Sequence, residues 1–459
     1  MLPVWVKILI LPIVLTWLLI WLIGKLARLV WYYPVAVVAL VLAAWIYSGL
    51  GQWWLLGLFL AISNGLAAWW WRDVESFDRR MRCARTEIRR LVVYAVEWRT
   101  VMRLANLTGD AKGREYRPKL KRIRCEGWRD KVRVRMIPGQ APEQWEQRAS
   151  GLAHSFRATS CRVRVIKPGR LELDLIHSNP LASPIAAPAL ETDEAAVDLR
   201  KLVVGRTETG KPWRIRLLGN HVLTVGVSGA GKGSLLWSIV WALAPLIRSG
   251  AVRLVGIDPK SGMELGTCPE VFDQLVCDNG PYAVELLEQV AGEVRERAAR
   301  YRGWRRLWSR ETGEPFTLLI VDELADVIAY QPDRKLKERA QAAIQTITSQ
   351  GRAPGFGVLA LVQDPRKEIV PFRNLFPHKV AMRLDEAAQV DMVLGDGVRE
   401  RGAAAHEIPE STPGVAWVKE DGRRDPIRAR AFHVTDSNLA TLSAYVSGSV
   451  LMIEGGAAA

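Results

Sequence analysis

The chain has 459 residues, 49% of them hydrophobic and 24% charged, with 19 Trp and a formal net charge of +15. That length leaves room for roughly two to four domains and a sizeable core, which excludes a small disulfide-stapled module. A mean hydropathy of +0.03 with this share of apolar residues excludes a disordered chain. The charge is segregated. Residues 1–71 hold Lys7, Lys25 and Arg28 and no acidic residue, residues 72–135 hold 20 basic against 9 acidic residues, and the rest of the chain is nearly neutral. The five cysteines (Cys83, Cys125, Cys161, Cys268, Cys277) are scattered with no C-x-x-C pair, so neither disulfides nor a structural zinc is expected.

Three apolar stretches open the chain, at 8–24, 29–48 and 52–71. A membrane-crossing helix takes about 20 apolar residues. The second and third stretches meet that length; the first is shorter and carries Pro12, so three spans or two fit. Ten of the Trp lie within residues 1–71, including Trp53, Trp54 and Trp69–Trp71, where interfacial aromatic belts would place them. With three spans, the Lys25/Arg28 loop and everything after Arg72 share one side, which the positive-inside rule makes cytoplasmic. The expected location is therefore the cell membrane, multi-pass, with the larger part of the chain in the cytoplasm. A cleaved signal peptide fits poorly, because no small-x-small site precedes Lys25.

A basic collar follows over 72–113, with Arg79, Arg80, Arg82, Arg85, Arg89, Arg90, Arg99 and Arg103. Its spacing suggests a helix continuing from the membrane. It suits anionic headgroups or nucleic-acid phosphates. From Lys119 the pattern turns to period two. Lys131–Met136 and Cys161–Ile166 read as strands, Leu171–Ile176 as a third, and Pro142–Phe156 as a helix between the first two. This is a small β-α-β-β unit with no catalytic constellation, ending in a Pro- and Ala-rich linker at 180–198.

The strongest signal is His221–Val225 running into Gly226, Val227, Ser228, Gly229, Ala230, Gly231, Lys232, Gly233 and Ser234, with an apolar helix after it. A strand, a glycine-rich loop and a helix in that order make a P-loop. Its backbone N–H groups and the helix N-terminus would cradle the phosphates of ATP, and Lys232 would bridge the β- and γ-phosphates. The residue after the lysine should carry a hydroxyl for Mg2+. Here it is Gly233, so either Ser234 reaches the metal or water takes that place.

Phe316–Val321 is a fully apolar strand ending in Asp322 and Glu323, the Walker B arrangement. Asp322 would hold the Mg2+ through water, and Glu323 would orient and polarise the attacking water. Val252–Ile257 and Gly357–Val362 complete a buried parallel sheet and end in Asp258-Pro259-Lys260 and Gln363-Asp364, at the ends that line ligand crevices in such sheets. Gln363 is a candidate γ-phosphate sensor. Arg352 is a candidate arginine finger acting on a neighbouring subunit, with a solvated loop arginine as the plain alternative.

Taken in order, these motifs resemble the FtsK/SpoIIIE family of DNA-translocating ATPases. The stretch PGQAPEQWEQRASGLAHSFRATSCRVRVIKPGRLELDL resembles the family's domain before the motor, and LVVGRTETGKPW (202–213) its entry strand. IDPKSGMELG (257–266), LLIVDELADV (318–327), SQGRAPGFGVLALVQDP (349–365) and DMVLGDG (391–397) follow in family order. The resemblance covers about 320 residues, 119–436, and departs at Gly233 and at LVQDP, where the family usually has ATQRP. It implies a RecA-like motor assembled as a homo-hexameric ring that threads double-stranded DNA, with ATP between subunits and an arginine supplied by the neighbour. The short single-motor form is similar to transfer proteins of actinobacterial mobile elements, which implies conjugative DNA transfer.

Only 23 residues follow position 436, too few for the family's DNA-reading winged helix, so an accessory DNA-marking protein is an expected partner. Chromosome segregation at the septum would share the motor but usually adds that module and a long linker. A protein-secretion ATPase of the same superfamily usually carries several motors in tandem. The expected organisation is thus α/β: transmembrane helices over 1–71, a basic juxtamembrane linker over 72–113, a small α+β domain over 114–200, a RecA-like P-loop ATPase motor over 201–440 and a tail over 441–459.

Overall fold

The computed structural model describes residues 48–49, 52–73, the positions 77, 81, 84, 86, 88 and 89, and 90–448 except 112, 367–371 and 421. The expected spans 8–24 and, but for Ser48, 29–48 lie outside the described residues. So do Arg79, Arg80, Arg82 and Arg85 of the collar, Lys367, and the end of the chain after Gly448.

Two units separate at Glu87/Ile88. In the first, the expected third span forms helix α1 (Gln52–Arg72). Its apolar side chains are exposed, Leu58, Leu60, Ile62 and both terminal Trp groups among them. Among the described residues, however, no helix is long and apolar enough to cross a membrane. Tryptophan, a weakly polar residue on hydropathy scales, takes five of the 21 positions of α1, and Ser63 and Asn64 interrupt its middle.

The second unit opens on a π-helical turn, Arg90–Tyr94, that runs into α2 (Ala95–Leu104). Tyr94, Trp98, Val101 and Met102 are buried in one core with Ile123, Val132, Val134, Trp145, Leu152, Phe156, Leu171, Leu173 and Leu175. The segment expected as a juxtamembrane linker is therefore in part a helix of the small domain, which starts well before 114. The amphipathic spacing of its apolar residues, hidden among arginines, draws it onto the sheet. Two of the described collar arginines pair with acidic residues of the same domain. Arg89 Nε lies 2.6 Å from the buried Asp130 Oδ2, and Arg103 pairs with Glu115 at 2.7 Å.

After the short hairpin β1 (Gly109–Ala111) and β2 (Arg114–Tyr116), the small domain is a four-stranded antiparallel sheet. Its strands are β3 (Lys119–Cys125), β4 (Arg129–Arg135), β5 (Ser160–Lys167) and β6 (Arg170–Ile176), in the order β3-β4-β6-β5, with α3 (Pro142–Gln147) and α4 (Ala149–Ser155) between β4 and β5. The expected unit thus gains one strand, β3, at its front. The 180–198 segment is not a free linker. Within it β7 (Ile185–Ala186) joins the motor sheet, Leu181 is buried, and Trp241 Nε1 donates to the Pro188 carbonyl at 3.1 Å.

The motor sheet adds β8 (Leu202–Thr207), β9 (Pro212–Ile215), β10 (Val222–Val225), β11 (Val252–Ile257), β12 (Gln274–Val276), β13 (Phe316–Val321), β14 (Phe356–Val362), β15 (His378–Ala381), β16 (Val415–Lys419) and β17 (Ile427–His433). The order is β12-β11-β13-β14-β10-β15-β16-β17-β8-β9, parallel from β12 to β15 and antiparallel beyond. Both faces are covered, so parallel strands such as FTLLIV carry no polar alternation. Successive residues of β13 enter opposite cores: Phe316, Leu318 and Ile320 pack with helix α5 (Lys232–Arg248), and Leu319 and Val321 with α6 (Pro281–Tyr301), α7 (Leu324–Ile328) and α8 (Arg334–Gln350). Helix α9 (Ala387–Leu394) covers β15, and α10 (Asp436–Ser447) packs Leu439 and Leu442 under α5. The motor therefore runs to Ser447 rather than to 440. Among the described residues, Cys125, Cys161, Cys268 and Cys277 form no disulfide.

Candidate nucleotide site

The P-loop strand β10 lies next to β14, and β14 next to β13. One strand thus separates the glycine loop from the acidic pair, the RecA-like arrangement. All three strands point their carboxyl ends the same way, so Gly226, Gln363 and Asp322 emerge together.

The loop is held from below. Gly226 N donates to Val362 O at 3.1 Å, Val227 N to Arg383 O at 3.0 Å, and Gly414 N to Ala230 O at 2.9 Å. Gly229 and Gly231 have φ of +72° and +88°, a left-handed conformation that glycine adopts without strain. At Gly231 space matters as much: a Cβ there would stand 2.1 Å from Gly414 N. Gly231 is also the N-cap of α5, and no side chain caps that end. The first N–H groups of the helix and its positive dipole end are therefore available to an anion. Lys232 lies back across its own loop, with Nζ donating to Gly226 O at 2.7 Å. Burial lowers its ammonium pKa, opposed by Glu323.

Asp322 and Glu323 are buried, 6% and 3% exposed. Asp322 N continues the ladder to Ile257 O at 3.0 Å. Glu323 Oε1 accepts from the Gln363 backbone N–H at 3.2 Å, while its Oε2 makes no hydrogen bond. Lys260 Nζ stands 3.6 Å from Asp322 Oδ2 and 3.6 Å from Glu323 Oε2. Burial above all pushes the Asp322 carboxyl up to about 7, with Asp258, Glu264 and Glu323 adding to the rise and Lys260 opposing it. Burial likewise raises Glu323, against Lys260 and Lys232. A cation brought among these carboxylates would reverse both shifts.

Of the residues singled out in the sequence, the structure brings together Gly226 to Ser234, Asp322, Glu323 and the Gln363 backbone. The Ser234 side chain lies beside Gly414, which itself packs on the P-loop: its Oγ is 3.6 Å from the place a Cβ on Gly414 would take. The exposed Arg352 sits before β14, at the other end of a seven-residue strand about 23 Å long. It cannot reach the P-loop of its own chain. Two residues escaped the sequence reading. Arg383 rims the loop, donating to Ser228 O at 3.0 Å and pairing with Glu410 at 2.8 Å. Glu264 presses its carboxylate against Gly233, and the missing hydroxyl at 233 was the available signal for it.

Residues 52–177 match the Actinomycete conjugal transfer protein N-terminal domain, and residues 186–305 match the FtsK/SpoIIIE family. Among curated relatives, the Transfer protein TraSA of Streptomyces ambofaciens is 27% identical over 366 residues, 75% of this chain and 85% of the relative. Protein Tra of Streptomyces lividans is 24% identical over 61% of this chain and 48% of its own length. DNA translocase FtsK of Tropheryma whipplei is 28% identical over 49% of this chain and 31% of its own. The chain thus spans about half or less of these last two. A solved structure of the pCW3 conjugation coupling protein TcpA with ATPgS matches 75% of this chain and 98% of its own, at 20% identity and a TM-score of 0.49. The chain is an ATPase in which a stretch that matches the Actinomycete conjugal transfer protein N-terminal domain precedes one that matches the FtsK/SpoIIIE family.

Proposed function

We propose that this ATPase is a membrane-anchored translocase of double-stranded DNA that serves conjugative transfer of a mobile element. The observation that carries the reading is the order of its two domains: a conjugal-transfer N-terminal domain followed by a motor of the family that includes proteins named DNA translocase. A membrane anchor is supported by the exposed apolar surface of α1, with Trp53 and Trp54 at one end and Trp70 and Trp71 at the other, and by the apolar stretches before it in the sequence.

The residues present fit ATP with Mg2+. Uncapped N–H groups, two left-handed glycines, a lysine and two buried carboxylates, one with an oxygen that makes no hydrogen bond, form the required donor and acceptor set. Bound there, the cation supplies charge neutralisation of the phosphates. In this reading Lys232 leaves the Gly226 carbonyl for the phosphates. Asp322 would hold the cation, and Glu323 Oε2 would accept a proton from the attacking water. Gln363, tied through its backbone to Glu323, couples β14 to that carboxylate. Arg352 would act on the site of a neighbouring subunit, so the working form is a homo-hexameric ring.

ATP turnover by the full chain in detergent, measured with duplex DNA, single-stranded DNA or no nucleic acid, tests this. Stimulation by duplex of any sequence is expected. Stimulation by neither would discard the DNA reading and leave a protein substrate as the next to try.

A further inference from the structure

The P-loop departs from the usual pattern at one position, Gly233, and the structure identifies what fills the room. A Cβ built on Gly233 would stand 2.2 Å from Glu264 Oε1 and 2.9 Å from Oε2. The Glu264 carboxylate thus takes the volume in which a serine or threonine after the P-loop lysine would carry its hydroxyl. Ser234, the alternative source of a hydroxyl, lies beside Gly414.

Glu264 is held in that place. The fully buried Asp258 at the end of β11 accepts from Lys260 N at 3.1 Å through Oδ1, and from Glu264 N and Leu265 N at 2.9 Å each through Oδ2. These bonds fold the 258–265 turn back toward the P-loop. Trp237 Nε1, one turn along α5 from Gly233, donates to Glu264 Oε1 at 2.8 Å. Among the described residues Oε2 accepts no such bond, and Lys232 and Lys260 both lie near enough to act on this carboxylate.

We propose that Glu264 supplies, through Oε2, the protein oxygen that a P-loop hydroxyl otherwise offers to the nucleotide's divalent cation, and that Gly233 exists to make room for it. The proposal rests on the ATP reading above. A carboxylate is a hard oxygen ligand that suits Mg2+, and unlike a hydroxyl it brings a negative charge to the cation. It therefore favours nucleotide with cation and disfavours nucleotide without it.

The test is ADP affinity of the full chain in detergent, by calorimetry, with Mg2+ and with chelator. Wild type should bind ADP much more tightly with Mg2+. Glu264→Gln keeps the volume and the Trp237 bond, and should lose about 10-fold or more of that tightening while binding metal-free ADP at least as well as wild type. The double variant Gly233→Ser/Glu264→Ala should recover it, because the hydroxyl returns as the carboxylate leaves. Full Mg2+ dependence in Glu264→Gln would overturn the proposal and leave Glu264 as a brace for Trp237. ADP binding by wild type without any Mg2+ effect would overturn it and spare the nucleotide site. No ADP binding under either condition would overturn both.

Discussion

At the scale of single residues, two side chains carry distinct predictions. Lys232 now spends its hydrogen bonds on the Gly226 and Val227 carbonyls, so its ammonium stands poised over an anion site. Lys232→Ala should lower ATP turnover about 100-fold or more and weaken nucleotide binding. Glu323→Gln should bind nucleotide as wild type does yet turn over about as slowly. Turnover near wild type in both would remove these residues from the site. His221 is different in kind. Its ring bridges Thr348 O at 3.0 Å through Nε2 and the Val358 N–H at 3.1 Å through Nδ1, an arrangement only the neutral tautomer satisfies. Burial holds its pKa down at about 4, from an ordinary 6.5. The unfolded chain therefore takes up a proton below pH 6.5 that the native motor refuses until about pH 4. Stability present above pH 6.5 is lost as the pH falls through that window, by about 1.4 kcal/mol per unit and about 3 kcal/mol in all. Denaturation of His221→Gln at pH 7 and pH 5 should show a shallower pH slope than wild type. An equal slope would mean that this ring does not set it.

At the scale of elements, the antiparallel half of the motor sheet depends on close backbone contact. Gly205 in β8 pairs with Ala431 in β17, and a Cβ on it would stand 2.0 Å from Arg430 O and 2.9 Å from Ala431 Cα. Those atoms belong to the backbone and cannot rotate away. Gly205→Ala should therefore cost about 2–3 kcal/mol and lower the melting temperature of the motor. An unchanged melting temperature would contradict the β8–β17 register. This strand pair matters beyond its own stability, because β17 runs on into α10, which packs under the P-loop helix.

At the scale of the whole molecule, the small domain joins the motor through an ionic cluster. Arg129 of β4 meets Asp174 and Glu208 at 3.2 Å each, and Arg162 of β5 meets Glu208 at 3.2 Å and lies over the Trp417 ring. Glu208, in the turn between β8 and β9, is the motor's contribution. Beyond the single chain, the distance between Arg352 and its own P-loop makes a prediction about assembly. If Arg352 completes a neighbour's site, Arg352→Ala and Lys232→Ala should each be nearly inactive alone. Mixed in equal amounts before assembly, they should regain activity at about a quarter of the interfaces of a closed ring. A mixture no better than its parts would mean that Arg352 has no such role.

What the sequence determined by itself was everything written in contiguous residues. The P-loop, the apolar strand ending in Asp322-Glu323 and the order of the motifs are local patterns, and strands buried on both faces announce themselves as unbroken apolar runs. What depends on residues far apart in the chain was settled by how the segments pack. Packing drew α2 out of the basic collar into the small domain, because Trp98 and Met102 could be paired with a core only once β3 to β6 existed. It turned the 180–198 segment into an edge of the motor. And it set Glu264 against Gly233, across 31 positions of sequence, because the buried Asp258 folds the intervening turn back on the loop. An absent hydroxyl is visible in a sequence; the carboxylate that takes its room is visible only where two segments meet.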